Sequence, residues 1–248
     1  MSLSESSSVS YSSKNAAISG GVPTKISTAS WQGQSLQGNG QSLARNPERA
    51  YLWGKRLLDV ALSLAVLVLL FPLLLLVGLA IVLEDGGPVL YYQSRVGRNG
   101  KCFRFYKFRS MVKNADALKE QLAARNEADG PIFKMKNDPR VTRVGRWLRR
   151  SSVDELPQFL NVLRGEMSLV GPRPHLPREV ARYAGRQGQR LTVQPGLVCL
   201  REVCGRSNLA FEEWIELDLK YLEARSFRGD LSILVRVLPA VLRAEGAY

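Results

Sequence analysis

Residues 60–83 read VALSLAVLVLLFPLLLLVGLAIVL, a run with no charge and with Ser63 as its one hydroxyl. A straight helix of that length is about 36 Å long, enough to cross a bilayer core of about 30 Å. Phe71 and Pro72 stand at its midpoint. Proline removes a backbone donor and clashes with the preceding turn, so the spacing predicts a helix broken there. Both flanks are basic: Arg45, Arg49, Lys55 and Arg56 before the run, Arg95, Arg98, Lys101 and Arg104 after it. The positive-inside tendency places both ends on the cytoplasmic side. A kinked helix that dips into the membrane and returns meets both demands, and anionic headgroups would tether its ends. Because proline is tolerated in spanning helices, a single span stays open on these residues alone.

Outward from that run the chain divides unevenly. Residues 1–48 hold 13 Ser and 5 Gly with little periodicity, which predicts a disordered Ser/Gly-rich tail. No apolar core follows its start, so it does not read as a signal peptide. The whole chain has 248 residues, 45% hydrophobic, with 35 Lys and Arg against 22 Asp and Glu. That permits a folded core and calls for an anionic partner. The surplus is local: residues 84–150 carry 16 basic against 7 acidic side chains, whereas residues 151–248 carry 13 against 12. A charge concentrated just after an apolar segment points to a directed contact. Three Cys make no disulfide framework and contain no CxxC pair, and His175 is the one histidine. A His-rich metal site is therefore excluded, and a lone histidine reads as structural.

The remaining pattern is α+β and mainly helical. Glu84 to Pro88 is a turn. Val89–Tyr92 and Cys102–Phe108 read as strands joined at Gly97-Arg98-Asn99-Gly100. Helical spacing follows over 110–126, around Val144, Trp147 and Leu148, over Leu156–Leu163 up to Gly165, over 211–224 and over 231–243.

The densest chemistry is Arg149-Arg150-Ser151-Ser152-Val153-Asp154-Glu155-Leu156-Pro157-Gln158. Ser152 and Glu155 have capping-box spacing and Pro157 lies in the first turn, so the acids read as helix-start residues. Acids there complement the helix dipole, which is one sufficient reason for them. Two adjacent carboxylates behind two arginines also suit an anionic substrate with a divalent metal, and an ionised carboxylate is a competent nucleophile toward phosphorus. In Gly171-Pro172-Arg173-Pro174-His175, two prolines stiffen the backbone around an arginine that can grip phosphate through paired hydrogen bonds. Lys107-Phe108-Arg109-Ser110 and Asn137-Asp138-Pro139-Arg140 add charged turns.

These residues carry a resemblance. From Lys55 to Tyr248 the chain is similar to the bacterial sugar transferases, the monotopic phosphoglycosyl transferases. The matching stretches are KRLLDV, QSRVGRNGKCFRFYKFRSM, KNDPRVTRVGRWLRRSSVDELPQFLNVLRGEMSLVGPRP and LPAVLRAEGAY. The resemblance implies a membrane-embedded re-entrant helix over 49–86, broken at Phe71-Pro72, and a small cytoplasmic catalytic domain over 87–248. It implies transfer of a sugar phosphate from a UDP-sugar to polyprenyl phosphate at the cytoplasmic face of the bacterial inner membrane. That is the first membrane step of exopolysaccharide or O-antigen synthesis. It makes Asp154 the nucleophile and a Mg²⁺ ligand, and Glu155 its dyad partner. Lys107, Arg109, Arg149, Arg173, Asp138, Arg140 and Gln158 are the substrate- and phosphate-binding candidates. Membrane lipid is the expected surrounding, and a second copy of the chain stands among the candidate partners. One region departs: where the family commonly reads Gly-Leu-Thr-Gly-Leu-Trp-Gln-Val-Ser-Gly-Arg-Ser, this chain has Gly196-Leu197-Val198-Cys199-Leu200-Arg201-Glu202-Val203-Cys204-Gly205-Arg206-Ser207. A Trp-Gln pair is thereby exchanged for two charges.

Two other readings compete. A basic membrane-bound scaffold would use the charge and the apolar run but has no use for Asp154-Glu155. A nucleic-acid binder would use the charge but lacks a recognition motif, and nucleic acid is not among the expected partners.

Overall fold

Pro72 divides the apolar run as its chemistry requires. In the computed structural model, which describes residues 45–122, 135, 137–204 and 211–242, helix α1 (Arg45–Leu69) ends at Leu70, and α2 (Phe71–Asp85) starts with Pro72 in its first turn. The two helices are bent by 61°. Among the described residues no single helix is long and apolar enough to cross a membrane, but Glu48–Leu69 and Phe71–Asp85 together meet that test by length and composition. The predicted tail, residues 1–44 for the most part, lies outside the described residues, as do 123–134 and 243–248.

Strands β1 (Leu90–Val96) and β2 (Cys102–Phe108) form the expected antiparallel hairpin, with Leu90 opposite Phe108 and Val96 opposite Cys102. Strand β1 runs farther than its alternation suggested, up to the turn at Arg98–Gly100. Alternation along β2 buries Phe103 and Phe105 on one face, and Phe108, on the other, is buried in a separate cluster. Helix α3 (Ala115–Gln121) starts five residues later than the predicted 110–126, of which 123–126 lie outside the described residues. Ser110 and Met111 are extended instead, and Met111 bridges Val141 in antiparallel fashion. Helix α4 (Arg143–Arg150) follows, capped at its start by Thr142 Oγ1, which accepts from Gly145 N at 2.9 Å.

Then come the turn Val153–Glu155 and α5 (Gln158–Arg164), which ends at Gly165 in the left-handed conformation, φ 75°. Strand β3 (Ser168–Val170) pairs in parallel with β4 (Gly196–Val198). Between them lie α6 (Pro177–Val180) and a long turn over Gly185–Thr192. Helices α7 (Arg201–Cys204), α8 (Phe211–Ala224) and α9 (Phe227–Leu242) complete the described chain.

The largest core gathers Phe103 and Phe105 of β2, Val162 of α5, Met167, Leu169, Val170, Tyr221 of α8 and Ile233 and Val237 of α9. A second cluster, Val77 and Ile81 of α2 with Phe108 and Leu148, seats α2 on the end of β2 and on α4. Much of the rest of the apolar run is not core: Val68, Leu69, Phe71, Leu75, Leu76, Leu79 and Leu83 are exposed, as is Leu57 just ahead of it. A contiguous exposed apolar surface of this kind marks an interaction face rather than a packing error.

Polar side chains fix α1 to the domain. Asp59, buried, accepts from Leu169 N at 2.9 Å and from Ser168 Oγ at 3.1 Å. Lys55 Nζ donates to Val170 O at 2.9 Å and to Asp230 Oδ2 at 2.6 Å, and Tyr51 and Tyr221 donate to the same carboxylate.

Candidate active site

Asp154 and Glu155 lie on the 3-10 turn just ahead of α5, not inside a capped helix start. The capping box read from Ser152 and Glu155 is corrected by the backbone: Ser152 has φ 58° and its side chain caps nothing. The Glu155 carboxylate is drawn away by stronger partners. Its Oε1 accepts from Arg173 Nη2 at 2.6 Å and from Lys107 Nζ at 2.8 Å. Lys107 Nζ also reaches Asp154 Oδ2, at 3.3 Å, so one ammonium bridges the pair. Burial opposes ionisation of Glu155, but Arg173 and Lys107 outweigh it and hold the carboxyl well below the usual range. Arg173 is correspondingly locked in its charged form, mainly by Glu155. Asp154 is buried at 6% exposure, with Lys107 as its one ion-pair partner among the described residues.

Each participant comes from a different element. Strand β2 delivers Lys107. Helix α5 is held to β2 by Asn161, whose Nδ2 donates to Arg104 O at 2.7 Å and whose Oδ1 accepts from Tyr106 N at 3.2 Å. The loop after β3 delivers Arg173. Gly171 and Gly196 let β3 and β4 approach at that point: a Cβ on Gly171 would sit 2.6 Å from Gln194 O. Arg190 fixes the same loop, its Nη2 donating to Arg173 O at 2.8 Å.

The remaining sequence candidates separate. Arg149 Nε donates to Ser110 Oγ at 2.9 Å; burial lowers its pKa while Asp154 and Asp138 raise it, which places it in the electrostatic reach of the dyad. Asp138 and Arg140 form a two-pronged fork, Nε–Oδ1 2.9 Å and Nη2–Oδ2 2.6 Å. Arg140 also donates to Ala115 O at 3.3 Å, so this pair is a strut and not a free phosphate grip. Burial raises the Asp138 pKa, but Arg140 brings it down overall. Gln158 is fully buried and neither of its amide atoms has a hydrogen-bond partner. Arg109 pairs with Asp85 at 3.2 Å and does not touch the dyad. Phe71 and Pro72 occupy the helix break.

Two features had only weak signals in the sequence. Glu202 Oε1 lies 3.5 Å from Arg173 Nη1, so Arg173 stands between two carboxylates. Its signal was the departure from the family pattern at this position. Arg201, its neighbour, lies over the Trp214 ring at 3.9 Å. The second feature is the buried group around His175. Tyr183 Oη lies 2.7 Å from His175 Nδ1, Arg190 Nη1 is 3.0 Å from Nε2, and Trp214 packs edge-on. Arg190 also pairs with buried Asp218, a charge contact without hydrogen-bond alignment. Burial, and then Arg190, push the His175 pKa well below 6.5. His175 is therefore a neutral, structural ring behind Arg173, as a lone histidine suggested.

Among the described residues no cluster of three or more His, Cys, Asp or Glu is placed to hold a metal. The donor set still suits Mg²⁺, which needs one or two carboxylates and takes the rest from phosphate oxygens and water. Asp154 is the carboxylate available, since Glu155 is committed to two cations.

A family model described as bacterial sugar transferase matches residues 50–244. The chain is 46% identical over 165 residues to the galactosyl transferase CpsE of Streptococcus agalactiae, covering 66% of this chain and 37% of the relative. It is 43% identical over 199 residues to the undecaprenyl-phosphate galactose phosphotransferase of Salmonella typhimurium, covering 78% and 41%. It is 39% identical over 198 residues to the exopolysaccharide production protein ExoY of Rhizobium meliloti, covering 78% and 88%. The chain thus spans about two fifths of the length of the first two relatives and most of the third. It belongs to the bacterial sugar transferase family.

Proposed function

We propose that this sugar transferase moves a sugar 1-phosphate from a UDP-sugar to a polyprenyl phosphate, through a covalent phosphosugar on Asp154. The carrying observation is the asymmetry of the dyad. Glu155 spends its charge on Lys107 at 2.8 Å and Arg173 at 2.6 Å, whereas Asp154 keeps one longer contact at 3.3 Å. The less committed carboxylate is the better nucleophile. The relatives, an undecaprenyl-phosphate galactose phosphotransferase among them, support the substrate class.

An Asp154 oxygen attacks the sugar-bearing phosphorus of the UDP-sugar, and the bond from that phosphorus to the bridging oxygen breaks, so that UMP leaves. A phosphate oxygen of the acceptor then attacks the same phosphorus and the Asp154–phosphorus bond breaks, giving polyprenyl diphosphosugar and the free carboxylate. Two steps avoid bringing two polyanions together at once. Lys107, Arg149 and Arg173 offset the charge of the donor diphosphate. Glu155 orients Lys107 and Arg173 through the contacts above. Mg²⁺, when bound at Asp154, would neutralise diphosphate charge and favour the leaving UMP.

The bent pair α1–α2, its exposed leucines and its basic flanks support a re-entrant helix in the bacterial inner membrane, with the catalytic residues on the cytoplasmic side. The test is Asp154→Asn in the full chain with membranes, UDP-sugars and polyprenyl phosphate. Transfer is expected to vanish with folding unchanged, since the amide is nearly isosteric. Normal turnover by the folded variant would remove Asp154 from the chemistry.

A further inference from the structure

The five cations that the sequence nominates for substrate and phosphate do not share one place, and Arg140 is taken up by Asp138. Lys107, Arg149 and Arg173 surround the dyad, whereas Arg109 pairs with Asp85, the last residue of α2. That pairing is incomplete. Arg109 is only 8% exposed, and its Nη1 and Nη2 make no hydrogen bond, nor does Asp85 Oδ2. A buried guanidinium whose terminal nitrogens make no aligned hydrogen bond is rare, because each lost water contact goes uncompensated, and Nη1 lacks even the charge contact that Nη2 has with Asp85.

A second cation converges on it. Gly87 has φ +135°, and a Cβ there would sit 2.7 Å from Arg109 Nη1 and 3.1 Å from Lys113 Nζ, and would overlap Lys113 Cε. Only glycine both adopts this backbone and leaves room for the two side chains. Lys113 is exposed and has no acidic partner among the described residues. Two cations therefore meet over Gly87 against one acid, at the point where the chain leaves the apolar pair α1–α2. Like charges so placed call for an anion between them.

We propose that Gly87, Arg109 and Lys113 form a binding site for the phosphate group of a membrane lipid. Arg109 Nη1 donates to its oxygens while Nη2 keeps its charge contact with Asp85, and Lys113 supplies the second charge. The site is separate from the dyad yet joined to it: Ser110, the next residue, accepts from Arg149 Nε at 2.9 Å, and Arg149 senses the charge of Asp154. A phosphate held at Gly87 stands on the membrane edge of the catalytic site. Two lipids carry that chemistry, the acceptor polyprenyl phosphate and a bulk headgroup; the first rests on the transfer reading above, the second does not.

The experiment measures binding rather than turnover. The full chain in phosphatidylcholine nanodiscs receives polyprenyl phosphate in one arm and phosphatidic acid in the other, and affinity is read from the shift in thermal midpoint. Lys113→Ala is expected to weaken binding about fivefold, the effect of one basic residue near a charged lipid surface. Lys113→Arg should restore it, and Gly87→Ala should weaken it by crowding the cradle. Loss confined to polyprenyl phosphate assigns the site to the acceptor; equal loss with phosphatidic acid assigns it to headgroups. Unchanged binding in both arms for Lys113→Ala and Gly87→Ala overturns the site. So does a matching loss of UDP-sugar affinity, which would make these residues part of the donor site. If the wild-type chain fails to release UMP, the transfer reading fails while the binding result still stands.

Discussion

Arg56 of α1 donates from Nη1 to the carbonyl of Val162 at 2.6 Å, and from Nη2 to that of Leu163 at 2.7 Å. Both carbonyls lie in the last turn of α5, the helix that follows the dyad; that of Val162 also accepts from Gly165 N at 2.9 Å, so Arg56 is its second donor. A cation from α1 thus closes the helix that follows the turn of Asp154, favourably aligned with its dipole. The apolar pair α1–α2 and that turn are thereby mechanically linked.

Removing that closure should be measurable. Arg56→Ala is expected to destabilise the protein by roughly 2 kcal/mol, the scale of hydrogen bonds made by a charged donor. Lys at this position can satisfy one carbonyl but lacks the fork, so Arg56→Lys should recover part of the loss. Denaturant unfolding in detergent, following the folded fraction of all three proteins, checks both. Equal stability of wild type and Arg56→Ala would show that water replaces the guanidinium at no cost.

The Glu155 carboxyl is held below its ordinary 4.5 by Arg173 and Lys107 against the cost of burial. A group whose folded pKa is depressed contributes stability that is complete above its unfolded pKa and is lost as pH falls toward the folded one. Glu155→Gln is therefore expected to cost on the order of 2 kcal/mol at neutral pH, the scale of hydrogen bonds to charged groups, since these ion pairs are partly buried. The gap between wild type and variant should stay flat from pH 8 down to about 5 and narrow below about 4.5, by at most about 1.4 kcal/mol per pH unit. Unfolding midpoints across that range decide it. A gap that widens on acidification would contradict the ion-pair account.

The bend at Pro72 should determine topology. Single cysteines introduced as Arg49→Cys or Pro88→Cys, with Cys102, Cys199 and Cys204 replaced by serine, report the two ends of the apolar pair to an impermeant label. Both sites are exposed. In sealed cells both are expected to stay protected and to react only after lysis. Pro72→Ala restores a backbone donor and removes the clash, so it should move one site toward external labelling. External labelling of one end in the unsubstituted chain would instead indicate a span.

Much of this architecture was legible because its causes are local. The hairpin followed from two short strand patterns around the Gly97-Arg98-Asn99-Gly100 turn, the end of α5 from Gly165, and the break between α1 and α2 from Pro72. The capping box failed for a tertiary reason. Lys107 from β2 and Arg173 from the β3 loop offer Glu155 full charges, which a backbone amide cannot match, and Ser152 turns left-handed. Arg109 and Arg149 looked equivalent in the sequence; only the fold shows that one meets Asp85 and the other nears Asp154. Arg190 and Asp218 lay in no motif, since their importance comes from packing against His175 and the Arg173 backbone.

The central claim is that Asp154 takes the phosphosugar before the acceptor arrives. The most direct measurement is UMP release by purified full chain from its UDP-sugar, with Mg²⁺ and without polyprenyl phosphate. The account expects about one equivalent of UMP per active site followed by a stall, with release resuming when polyprenyl phosphate is added. No UMP until the acceptor is present, together with intersecting double-reciprocal plots, would contradict it and reduce Asp154 to a ligand of the metal.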